Sequence, residues 1–292
     1  MNEDLHLSRR GFARLGVSAA AMSAFAGLSS PADSTGADDE RRGGDPWRGL
    51  KVGVASYSFS RLPLDATIQG IRRAGVSFVS IKDAHLPLKS TAKQRKTVVR
   101  KFREAGITPL SCGVITLPDA EAAIRNAFEY ARDAELPTIV CKPTRPSLPL
   151  LDKLVKEYDI RLAIHNHGPE DKVWPSPYDA WEAIQSFDPR IGVCIDVGHT
   201  TRCGVDPSEA IHKCASRLYD LHLKDLVSTD AKAKVVEVGR GVLDIPKILA
   251  SLREINYAHL IGLEHEKDMN DPLPGMAESF GYIRGVLAMT RE

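Results

Sequence analysis

The stretch Ile191-Gly192-Val193-Cys194-Ile195-Asp196-Val197-Gly198-His199 decides the fold. An apolar run with no polar alternation ends in a carboxylate, a glycine and an imidazole. A run this short and this continuous suits a strand buried on both faces of a parallel sheet. Working outward, the same pattern recurs at Lys51–Tyr57, Val76–Ile81, Ile107–Gly113, Thr138–Cys141, Ile160–His165, Leu218–Leu223 and His259–Glu264. Between these runs, apolar residues fall at helical spacing. Examples are Leu64, Ile68, Ile71 and Ala74 before Gly75, or Val98, Phe102 and Ala105 before Gly106. A glycine there suits a helix C-cap and re-entry into the next strand. The seventh unit is the longest, because Leu226–Arg240 must form an extra loop.

Eight alternating units over about 240 residues predict an α/β fold, a (β/α)8 TIM barrel, whose usual size is about 250 residues. The rival is an open doubly wound sheet, which carries a glycine-rich phosphate turn after its first strand. Here that turn reads Ser56-Tyr57-Ser58-Phe59-Ser60 and lacks the glycines. The barrel is preferred.

The 292 residues include 39 Lys+Arg against 38 Asp+Glu, a formal charge of +1. No global field draws polyanions, which argues against nucleic acid as a partner. Ser8-Arg9-Arg10-Gly11-Phe12 leads into a short Ala/Gly-rich apolar stretch and the triplet Ala24-Phe25-Ala26. That pattern reads as a twin-arginine signal peptide over residues 1–26, with export to the periplasm or another extracytoplasmic space of a bacterium. The run is too short and too interrupted to span a bilayer, so no stable membrane insertion is expected after cleavage. Residues 27–46, rich in Pro, Ser, Asp and Gly with clustered charge, read as a disordered tether, and 47–292 as the barrel. The five cysteines form no CxxC pair. Buried thiols are expected, with a disulfide among Cys194, Cys203 and Cys214 left open.

In this fold the catalytic groups sit at the C-terminal ends of the strands. Those ends read His165-Asn166-His167-Gly168, Asp196-Val197-Gly198-His199, His222-Leu223-Lys224-Asp225 and Glu264-His265-Glu266. Five of the nine histidines lie at the ends of four consecutive strands. Side chains at neighbouring mouths face one axial space, so His165, Asp196, His222 and Glu264 are assigned as ligands of one divalent ion. A mixed N/O set suits Mn2+, Zn2+, Fe2+ or Co2+. Each residue also has a plainer role: a strand-end histidine is commonly structural, Asp196 can cap the next helix, and Glu264 can pair with a lysine. Four such coincidences on successive strands favour the metal. His167, His199, Lys224, Lys82 and Lys142 are expected nearer the substrate, with Lys142 and Arg145 able to hold an anion.

The motifs Ile195-Asp196-Val197-Gly198-His199, Leu221-His222-Leu223-Lys224-Asp225 and Gly262-Leu263-Glu264 resemble the xylose-isomerase-like TIM-barrel superfamily, from about Lys51 to Leu287. That superfamily includes sugar (phosphate) isomerases and epimerases, inosose dehydratases and endonuclease-IV-type enzymes. The resemblance implies one divalent ion, Mn2+ first among them. It also implies a small carbohydrate substrate and a substrate-oxygen contact from His199. A homo-oligomer is compatible with it. Many relatives carry Glu-Asn-His where this chain has His165-Asn166-His167. A scheme with two metal-bound glutamates therefore cannot transfer intact. Glu264 remains as one base, with His167, Lys224 or Lys82 as its partner. The expected activity is isomerisation or epimerisation through an enediolate. β-Elimination of a 3-keto-glycoside is the nearest alternative, and a non-catalytic sugar-binding role a further one.

Overall fold

A computed structural model describes residues 44–290. The signal-peptide reading and residues 27–43 of the tether lie outside the described residues. Eight parallel strands close a barrel in the order β1-β10-β7-β6-β5-β4-β3-β2. They are β1 Lys51–Ala55, β2 Phe78–Ile81, β3 Thr108–Leu117, β4 Thr138–Pro143, β5 Arg161–His165, β6 Ile191–Asp196, β7 Leu218–Leu223 and β10 Leu260–Leu263. The intervening pair β8 Asp225–Leu226 and β9 Val235–Val236 forms a small antiparallel ribbon in the extra loop of the seventh unit.

Each predicted helix forms where the 3.6-residue spacing placed it. α1 (Leu64–Ala74) stops at Gly75, whose φ of 75° is left-handed and terminates the helix. α2 (Ala92–Glu104) starts at a capping box in which Thr91 and Gln94 satisfy each other's backbone N–H groups. α3 (Glu121–Asp133), α4 (Leu148–Tyr158), α5 (Pro177–Ala183), α6 (Val197–Arg202), α7 (Pro207–Cys214), α8 (Ile245–Glu254) and α9 (Leu273–Met289) complete the order. Among the described residues no helix is long and apolar enough to cross a membrane.

One large apolar cluster fills the space between strands and helices, from Val52 and Ile71 round to Phe280 and Leu287. At the start of the described chain, Asp45 accepts the N–H groups of Trp47 and Gly49, and Trp47 packs edge-on against Phe280. A smaller cluster of Val140, Ala163 and Cys194 fills the lumen. All five cysteines are free thiols, which settles the open question of a disulfide against one.

Candidate metal centre

The strand register brings the predicted donors to one end of the barrel, with Asp196 and His222 level. His165 pairs with Cys194 across β5 and β6, and Asp196 with His222 across β6 and β7. Side chains two apart on a strand share a face, so Cys194 and Asp196 point into the lumen together, as do Asp220, His222 and Lys224. His165 Nε2 lies 2.8 Å from His222 Nδ1 and 3.6 Å from Asp196 Oδ2. His222 Nδ1 is 3.3 Å from Glu264 Oε1 and 4.0 Å from Asp196 Oδ2. Asp196, His222 and Glu264 each place one donor atom within 4.8 Å of the other two. His165 joins this group through His222 and Asp196. All four side chains are buried.

Asp196 shows how one residue serves two ends. It is the N-cap of α6, and its Oδ1 accepts the His199 N–H at 2.8 Å. Its Oδ2 faces the cluster and accepts no hydrogen bond, although Lys224 Nζ stands 3.1 Å away. Asn166 fixes the strand ends: its Oδ1 accepts the Asp196 N–H and its amide donates to Thr200 Oγ1. Gly198 leaves room for Lys224, whose stem lies 2.8 Å from where a Cβ would sit.

Two ammonium groups share the mouth with the carboxylates. Lys224 Nζ pairs with Asp196, Glu264 Oε2 (2.9 Å) and Glu266. Lys82 Nζ is 3.1 Å from His222 Nε2 and 3.7 Å from Glu264 Oε1. Burial favours the neutral carboxyl at Asp196 and Glu264. The Lys224 charge at Asp196, and the adjacent His222 ring with the Lys224 and Lys82 charges at Glu264, outweigh it by charge and hydrogen bonding and hold both well below the usual carboxylate range. Burial works against the charge on Lys224 too, but Asp196, Glu264 and Glu266 keep it an ammonium. Burial lowers His222 and His199, which leaves both as neutral imidazoles. Ionised carboxylates and neutral imidazoles are the protonation states a divalent cation needs. With the buried Asp196 Oδ2 accepting no hydrogen bond in their midst, these residues fit such an ion.

The hydrogen bonds also assign two tautomers. His167 Nδ1 lies 3.2 Å from the His165 carbonyl oxygen, so Nδ1 carries the proton and Nε2 keeps its lone pair. Burial above all, with the Lys142 charge adding to it, lowers His167 to about 4. His199 is the reverse case. Arg202 donates to its Nδ1 at 3.1 Å, so Nε2 carries the N–H.

Lys142 and Arg145, read from the sequence as able to hold an anion, both contact the loop after β5. Lys142 pairs with Asp171, and Arg145 stacks over Trp174 at 4.6 Å while donating to the Val173 carbonyl. Together they brace the loop after β5. Sequence reading assigned no site role to Asp171, Glu266, Cys194 or Asp220. The last two sit one strand period below Asp196 and His222, a signal that was available. A cavity of about 780 Å³ opens between Lys51, Arg253 and Tyr257, on the strand-start side of the barrel and away from this chemistry.

A family profile described as "Xylose isomerase-like TIM barrel" matches residues 68–286. Inosose dehydratase of Geobacillus kaustophilus (strain HTA426) is 26% identical over 147 residues, 45% of this chain and 46% of that protein. The chain thus matches just under half the length of that relative. Among solved structures, a D-tagatose 3-epimerase-like protein superposes with a TM-score of 0.68 at 17% identity, covering 82% of this chain and 98% of that one. The 3-keto-D-glucoside 4-epimerase from E. coli gives 0.67 at 15% identity, covering 81% and 99%. These two likenesses show the shared fold. With the profile spanning most of the barrel, from the first helix to the last, the chain belongs to the xylose isomerase-like TIM barrel family.

Proposed function

We propose that this chain is an enzyme that uses one divalent cation to isomerise or epimerise a keto-sugar or sugar-like polyol through an enediolate. The observation that carries the reading is the convergence of Asp196, His222 and Glu264, with His165 against them, at the mouth of the barrel. The cation, Mn2+ or another borderline metal such as Zn2+, Co2+ or Fe2+, would be held by these four residues. Once bound it supplies Lewis-acid polarisation of a substrate carbonyl.

The remaining steps belong to the protein's own groups. His199 offers its Nε2–H to a substrate oxygen and fixes the substrate's orientation. His167, neutral with a free Nε2 lone pair, accepts a proton from carbon next to the carbonyl. Glu264 stands at the other end of the row of contacts His167–His165–His222–Glu264 and serves the second proton transfer. The ammonium groups of Lys82 and Lys224 stabilise negative charge developing on substrate oxygen in a site shielded from water. Epimerisation follows when the proton returns to the opposite face of the same carbon, and isomerisation when it goes to the neighbouring carbon.

Elimination is the second reading, and the inosose dehydratase relative favours it. The first proton removal is the same, after which a β-substituent departs with a proton from one of the ammonium groups. Incubation of the metal-loaded protein in D2O with ketoses and 3-keto-glycosides separates the outcomes. Deuterium entering next to the carbonyl without loss of a substituent supports the isomerase reading, and release of water or aglycone with loss of the hydrogen from that carbon supports elimination. Binding of these sugars with neither label nor release overturns both in favour of a sugar-binding protein.

A further inference from the structure

A second group of donors reaches one strand period deeper than Asp196. Cys194 is on β6 two residues before Asp196, level with His165 on β5. Its Sγ and one ring nitrogen each of His165 and His222 all lie within 4.8 Å of one another. All three residues are buried, and the two imidazoles already face each other at 2.8 Å. In a tetrahedral site with Zn–N of about 2.0–2.1 Å and Zn–S of about 2.3 Å, donors stand roughly 3.3–3.6 Å apart. The triad is therefore close to closing on an ion with small side-chain rotations. Its chemistry differs from that of the outer group, since two imidazoles and a thiol form an N2S set that prefers soft and borderline cations. Carboxylate-rich sets suit harder ones.

We propose that His165, Cys194 and His222 form an inner seat for a thiophilic cation of the Zn2+, Cd2+ or Cu+ class. Binding forms a metal–sulfur bond and releases the thiol proton to solvent. The inner seat shares both His165 and His222 with the four outer ligands, so the two cannot fill together. A thiophilic cation accordingly displaces the catalytic one and inhibits. Only this competition rests on the function proposed above; the inner seat itself needs neither carboxylate.

The test titrates the metal-free full chain with Cd2+, Co2+ and Mn2+, comparing wild type with C194S, C194A and E264Q and checking each fold by thermal melting. Ala163 beside Cys194 shows that the lumen accepts a small residue, which makes C194A the second route should C194S fold poorly. The expected result is a thiolate-to-cobalt charge-transfer band in wild type that both Cys194 variants lack. Their Cd2+ affinity should fall at least about tenfold, in the range for losing a well-placed metal partner, with Mn2+ affinity unchanged. Equal Cd2+ affinity and an unchanged cobalt spectrum in a folded Cys194 variant overturn the inner seat. E264Q reports on the outer group independently. It should lose Mn2+ and keep the cobalt–thiolate band, and unchanged Mn2+ binding there counts against the proposed function while leaving the inner seat standing.

Discussion

His222 is the side chain on which the site turns, because its two ring nitrogens face opposite demands. In the geometry described, Lys82 Nζ is 3.1 Å from Nε2, which makes Nε2 an acceptor and leaves Nδ1–H to donate toward His165. A cation at Nδ1 needs the other tautomer, with the proton on Nε2. An ammonium cannot accept that N–H, but Asp220 can. Its Oδ1 lies 3.8 Å from Nε2, and both its oxygens are buried without a hydrogen bond. Ligating histidines characteristically donate their second N–H to a carboxylate, and losing that partner weakens metal binding by about 10–100-fold. Asp220→Asn should do so by that factor while the fold persists, as read by metal titration. Equal affinity in wild type and variant would remove Asp220 from the centre.

Asp171 makes a residue-scale case of a different kind. Burial raises its carboxyl, but Lys142 and the N–H groups of Trp174 and Val173 outweigh it and bring it down to about 2 from an unfolded value of 3.8. A lowered carboxyl stabilises the fold above the unfolded value and loses that contribution as pH falls through the folded one. The Asp171 contribution should therefore be flat at neutral pH and disappear between about pH 4 and pH 2. Its size is at most about 2 kcal/mol, and less once solvent screens the half-exposed Lys142. Urea denaturation of wild type and D171N at pH 7 and pH 2.5 checks this. A difference as large at pH 2.5 as at pH 7 would exclude the carboxylate as its source.

Among the elements, the loop carrying β8 and β9 departs furthest from a plain barrel unit. It is held by one carboxylate: Asp225 accepts backbone N–H groups from Leu226, Gly239, Gly241 and Leu243. Arg202 from α6 donates to the Ala233 carbonyl of the same loop and to His199 at the mouth. Charge-assisted hydrogen bonds contribute about 1.5–3 kcal/mol each, and leaving several buried donors unmade is severe. Asp225→Ala should destabilise the protein by about 3 kcal/mol or more and expose residues 227–242 to proteolysis. A loop as resistant as wild type would show that Asp225 is not its anchor. Here the limits of sequence reading are plain. The alternation of apolar runs and helical spacing located all eight barrel strands, because buried parallel strands leave a strong local signature. The extra loop showed only as surplus length, since its order depends on hydrogen bonds between residues 14 to 18 apart.

Across the whole molecule, parallel strands wound into a closed ring bring their C-terminal ends together. That is why donors on four strands, from residue 165 to residue 264, meet at all. Residue types at strand ends made His165, Asp196, His222 and Glu264 legible as one group. What no pattern of letters carries is charge balance. Lys224 and Lys82 lie among these carboxylates, while Lys142 and Arg145 brace a neighbouring loop, because side-chain reach and competition for partners decide both outcomes in three dimensions. The direct test of the account is the metal stoichiometry of the purified chain, measured by titrating the metal-free protein with Mn2+, Zn2+ and Co2+ beside His222→Ala. Because both donor groups share His222, the account predicts one ion per chain in wild type and none held tightly in the variant. No ion retained by wild type at saturating metal, or undiminished binding in His222→Ala, would contradict it.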